Sequence, residues 1–107
     1  MYLIGVSIVS EKTIYKEETE IEYRRPKLYR VILLNDDYTT QDFVVEVLIS
    51  VFHKSAVEAT KIMLDVHVKG KGIVGIYTYD IAKTKVTQVE QMAKEREYPL
   101  VAVIEPE

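Results

Sequence analysis

Leu28-Tyr29-Arg30-Val31-Ile32-Leu33-Leu34-Asn35-Asp36-Asp37-Tyr38-Thr39 carries a strand into a turn. Seven residues rich in apolar, β-branched and aromatic side chains stop at three short polar ones, which hydrogen-bond to nearby backbone and end a strand. A helix follows. Thr39-Thr40-Gln41-Asp42 fits a capping box with Thr39 as N-cap. Phe43, Val44, Val47, Leu48, Val51 and Phe52 then recur at helical spacing as one broad apolar face. Residues 28–52 therefore predict a strand, a polar turn and an amphipathic helix.

Downstream, Ser55-Ala56-Val57-Glu58 is a second capping box, opening a helix with Ala59, Ile62, Met63 and Val66 on its apolar side. Gly70 is suited to end it. Gly72 to Thr78 reads as a strand, and Asp80 falls in the first turn of a third helix, where a negative charge suits the macrodipole. Ile81, Val86, Val89 and Met92 give that helix its apolar side before Pro99, and Leu100 to Ile104 is a last strand. The order β-α-α-β-α-β predicts a small α+β single domain, a three-stranded sheet packed on one face by three helices. Strand order is left open. Upstream, residues 1–26 mix scattered Ile and Tyr with Glu, Lys and Arg and close on Pro26. They predict a variable, flexible N-terminal extension, with an extra edge strand over 1–9 as the alternative for its start. The domain proper is residues 27–107.

A chain of 107 residues has room for one domain, and a hydrophobic fraction of 48% is too high for a disordered chain. Net charge −3 argues against a nucleic-acid binder that works by neutralising phosphates. No basic run suggests an anionic membrane surface, and no apolar stretch approaches a membrane span. Met1 to Ser10 lacks the basic start and small-residue cleavage site of a signal peptide. Cysteine is absent, which excludes disulfides and thiolate metal sites. A soluble protein is expected.

Catalytic equipment is sparse, and no enzyme is expected. Gly70-Lys71-Gly72 lacks the spacing and trailing helix of a phosphate loop. Ser7, Ser10, Ser50 and Ser55 have no nucleophile context, and His53 and His67 are too far apart for a short metal motif. No cofactor or metal is implied. Two features remain. Asn35-Asp36-Asp37-Tyr38-Thr39 reads locally as a strand-ending turn running into a helix cap. His67 lies four residues after Met63, so both share a helical face, where a histidine is ordinarily a hydrogen-bonded core residue.

The string from Tyr29 to Thr39, with Phe43-Val44-Val45-Glu46-Val47-Leu48, closely resembles the ClpS adaptor family. The resemblance continues through Ala59-Thr60-Lys61-Ile62-Met63-Leu64-Asp65-Val66-His67, Gly70-Lys71-Gly72 and Thr84-Lys85-Val86, and ends at Tyr98-Pro99-Leu100. It covers about residues 27–105, and its motifs are specific as an ordered set. The N-terminal segment has no counterpart in it, as expected of the family's variable tail, which engages an unfoldase during hand-over.

The resemblance implies an adaptor that binds the first residue of a substrate protein, typically Phe, Tyr, Trp or Leu, and passes it to a Clp-family AAA+ unfoldase and its peptidase. By position, Asn35, Asp37 and His67 would surround the substrate's α-amino group, whose three N–H donors they can match. Asp36, in a lesser role, would contact the following backbone. Leu33, Leu34, Thr39, Gln41, Val44, Met63, Val66 and Leu100 would line the side-chain pocket. Asp80 and Lys85 would dock on the unfoldase's N-terminal domain. A monomer in a bacterial cytoplasm, or a plastid stroma, is implied. The family commonly has Pro-Met where this chain has Thr40-Gln41, so Gln41 leaves the range of accepted residues open. A similar module serving another degradation machine is an alternative, and a metal-dependent hydrolase built on Asp36, Asp37 and His67 a distant one.

Overall fold

Val31 and Leu33 point to one side of the first strand, Arg30, Ile32 and Leu34 to the other, as the two-residue period of a strand requires. A computed structural model describes residues 25–107. The elements are β1 (Leu28–Leu34), α1 (Gln41–Ser50), α2 (Ala56–Lys69), β2 (Lys71–Thr78), α3 (Tyr79–Glu95) and β3 (Val101–Pro106). The extension expected over 1–26, with its strand over 1–9, lies outside the described residues except for Arg25 and Pro26, both exposed.

The sheet is antiparallel throughout in the order β2-β1-β3, which puts the most apolar strand at its centre. Between Val31 and Ile32 the register slips, Val31 facing Gly75 and Ile32 facing Ile73, so Val74 is the extra residue of a bulge in β2. Val31, Leu33, Val74 and Ala102 meet Phe43, Val47, Leu48, Met63, Val66 and Val89 in one core between the sheet and its helices. The β-α-α-β-α-β order and the helical layer are as the apolar spacing predicts. The far face of the sheet leaves Ile73, Ile76 and Val101 about half exposed.

Helix starts and stops are local events. Ser55 accepts from the N–H of Glu58 at 3.1 Å while Glu58 accepts from the N–H of Ser55 at 3.2 Å, the reciprocal box expected. Gly70 ends α2 in the left-handed region at φ 89°, donating to the Val66 carbonyl. Gly72 lets β2 pass close to α2: a Cβ there would lie 2.8 Å from a methyl of Val66. The α1 start differs from expectation by one residue. Thr40, not Thr39, is the N-cap, its hydroxyl accepting from Phe43 N–H at 3.1 Å, while the Thr39 hydroxyl donates to Asp36 in the preceding turn. With Phe43 in the third helical position no reciprocal carboxylate exists, so α1 has a single cap and no box.

Candidate functional site

β1 runs out beside the end of α2. The Asn35 N–H donates to the Gly70 carbonyl at 2.9 Å, and Leu34 pairs with Lys71. His67 sits in the last turn of α2, so this contact brings Asn35 and His67 to one end of the domain, with Asp37 two residues along the turn. Asn35, Asp37 and His67 are exposed, and among the described residues none of their side chains is held in a hydrogen bond or ion pair. All three keep free acceptor capacity: an amide oxygen, a carboxylate, and a ring nitrogen when the imidazole is neutral.

Asp36 is different. One carboxylate oxygen accepts from the N–H groups of Tyr38 at 2.8 Å and Thr39 at 2.7 Å, and the other from the Thr39 hydroxyl at 2.8 Å. Partial burial pushes its carboxyl up, but these three bonds together outweigh it and hold the group below the ordinary aspartate range. The geometry makes Asp36 the organiser of the turn that presents Asn35 and Asp37. Sequence reasoning gave it a ligand contact; an Asp three residues before a Thr, at a strand end, was the signal for this local role.

Of the residues expected around a side-chain pocket, Leu33, Val44, Met63, Val66 and Leu100 belong to the hydrophobic core cluster. Thr39 is half-buried and committed to Asp36, and Gln41 is exposed as the first residue of α1. Leu34 does not join the cluster: strand alternation sends it to the opposite face from Leu33. Next to the cluster, α1 and α2 leave an open groove of about 640 Å³ lined by Asp42, Val45, Glu46, Ile49, Ser50, Thr60 and Met63, which shares Met63 with the expected pocket.

The pair expected to dock an unfoldase is split. Asp80 is exposed in the first turn of α3. Lys85 is half-buried, its Nζ donating to the Val51 carbonyl at 2.8 Å and lying 5.9 Å from the ring centres of both Phe52 and Tyr77. Helix α1 has no basic residue in its last turn, so Lys85 brings the cation that its C-terminal carbonyls lack. Nothing local in the sequence signals this contact, which spans 34 positions. Among the described residues no three His, Cys, Asp or Glu side chains are grouped to hold a metal ion, and Asp36, Asp37 and His67 form no such set. No described helix is long and apolar enough to cross a membrane.

Residues 24–103 match the family model for the ATP-dependent Clp protease adaptor protein ClpS. The chain is similar to the ATP-dependent Clp protease adapter protein ClpS of Acetivibrio thermocellus, 69% identical over 99 residues that make up 92% of this chain and all of that one. It is also similar to that of Syntrophus aciditrophicus, 57% identical over 80% of this chain and 84% of the relative. Among solved structures, Agrobacterium tumefaciens ClpS2 bound to L-phenylalaninamide superposes with a TM-score of 0.75 at 43% identity, covering 78% of this chain and all of that one.

Proposed function

The chain belongs to the ClpS family, the non-enzymatic adaptors of the ATP-dependent Clp protease, and we propose that it captures proteins by a bulky hydrophobic first residue. The observation that carries this reading is the uncommitted acceptor set Asn35, Asp37 and His67, gathered at one end of the domain where Asn35 meets the end of α2. A protonated α-amine has three donors, and the charged Asp37 supplies the counter-charge. An internal peptide bond has one N–H at most, so the set selects true N-termini. The structural relative adds support: L-phenylalaninamide carries a free α-amine and a benzyl side chain.

Burying an aromatic side chain of about 150–250 Å² at roughly 25 cal/mol/Å² is worth several kcal/mol gross. After the cost of association, the net affinity falls on the order of 1 µM, which suits a carrier that must release its cargo. The cargo then passes to the N-terminal domain of a Clp unfoldase, reached through the Asp80 side of α3, in a bacterial cytoplasm, with the adaptor acting as a monomer. Lys85, with one of its three N–H donors given to Val51, keeps two for that docking.

Peptides that differ only in their first residue test the proposal by calorimetric titration. Phe, Tyr, Trp and Leu should bind at least tenfold more tightly than Ser or Glu; a flat series contradicts it. Gln41 refines the pattern. Its exposed amide cannot be buried unpaired without a cost of roughly 1–3 kcal/mol, whereas a Tyr hydroxyl or Trp indole N–H can partner it. Gln41→Met should therefore lower the ratio of Tyr to Leu affinity. An unchanged ratio means that Gln41 stays in water.

A further inference from the structure

Helix α3 stops in an unusual way. Tyr98 N–H donates to the Ala93 carbonyl at 2.8 Å and Glu97 N–H to the Lys94 carbonyl at 3.1 Å, the paired bonds of a left-handed helix stop. The left-handed position is Glu97, at φ 61°, where glycine is usual and a side chain is strained. The strained stop fixes the residues on either side of it. The Arg96 guanidinium lies 5.4 Å from the centre of the Phe43 ring and pairs with Glu46 at 2.7 Å. The Tyr98 ring packs on the same Phe43 ring at 4.9 Å, and the Thr40 hydroxyl reaches the Tyr98 hydroxyl at 3.5 Å.

Thr40, Phe43 and Glu46 are the cap, first turn and second turn of α1. The end of α3 therefore grips the half of α1 that carries Gln41 and Val44. Leu100, which shares the hydrophobic core with Val44, follows Tyr98 by two residues. We infer that Tyr98 is a positioning residue for first-residue selectivity: by clasping Phe43 it sets the gap between the first turn of α1 and Leu100. The inference rests on the capture of N-terminal residues proposed above. The ring carries the effect, because a hydroxyl contact at 3.5 Å lies at the long limit of a hydrogen bond.

Loosening the clasp lets α1 move outward and admit first residues that branch at Cβ. The test measures affinities of Phe- and Val-initiated peptides for the full chain, together with urea denaturation. Tyr98→Leu should lower the Phe-to-Val affinity ratio at least fivefold, while Tyr98→Phe, which keeps the ring, should retain the ratio within twofold. A uniform loss for both peptides marks a merely structural role and overturns the inference. So does an unchanged ratio in a folded Tyr98→Leu protein, or a Tyr98→Phe variant altered as much as Tyr98→Leu. Should Tyr98→Leu fail to fold, Arg96→Gln loosens the same ring from its other contact and should shift the ratio in the same direction, no shift being the contrary result. A wild-type chain that binds no Phe-initiated peptide removes the capture reading, and this inference with it.

Discussion

Asp36 makes the turn in which Asn35 and Asp37 stand, and its charge state decides how firmly. Three hydrogen bonds favour its ionised form in the folded chain against the opposing effect of burial, so its folded-state pKa lies below the unfolded one. The resulting stabilisation is complete above the ordinary aspartate range near pH 4 and is lost as pH falls through the lowered folded value. Asp36→Asn keeps the shape but only one acceptor oxygen. At neutral pH it should cost about 1 kcal/mol by urea denaturation, and the gap from the wild type should close as pH drops below 4. A gap that stays constant down to pH 2 would show that the carboxylate charge plays no part. The neighbouring threonines show where residue-level reading reaches its limit. Thr39 and Thr40 both fit a helix cap by pattern; in the fold Thr39 joins the Asp36 turn and Thr40 caps the helix. Leu34 stands apart from Leu33 in the fold, as the period of two in a strand requires.

Elements whose ends are set by neighbours in sequence were the most readable. The Ser55–Glu58 box and the Gly70 stop need only residues three or four positions apart, and both stand as expected. The β2-β1-β3 order depends on contacts between distant segments, which apolar spacing does not encode. The same holds for the end of α1, where Lys85 arrives from α3. That contact changes what a substitution there should do. A charge-assisted bond to a helix C-terminus contributes about 1 kcal/mol at a half-buried site. Lys85→Met, which keeps the stem over Phe52 and Tyr77, should therefore destabilise the isolated chain by that amount in urea denaturation. A residue used only for docking would leave the isolated chain unchanged, and a midpoint identical to wild type would return Lys85 to that role.

At the scale of the whole molecule, the helices close one apolar core on the sheet and leave Asn35, Asp37 and His67 exposed at one end. In a domain this small, core and pocket use the same residue types. Leu33, Val44, Met63, Val66 and Leu100 read as core by pattern and are part of the core in the fold. Only the family resemblance separated them from Phe43 or Val47 as a binding surface. The acceptors Asn35, Asp37 and His67 were likewise legible as chemistry only through that resemblance, since locally they read as a turn and a helical histidine. The central claim is that this end of the molecule recognises a free α-amine. Calorimetric titration of one Phe-initiated peptide, with its N-terminus free and then acetylated, tests it most directly. Acetylation removes the charge and two donors while leaving the side chain intact, so affinity should fall at least 100-fold, about 3 kcal/mol. Equal binding of the two peptides would contradict the account.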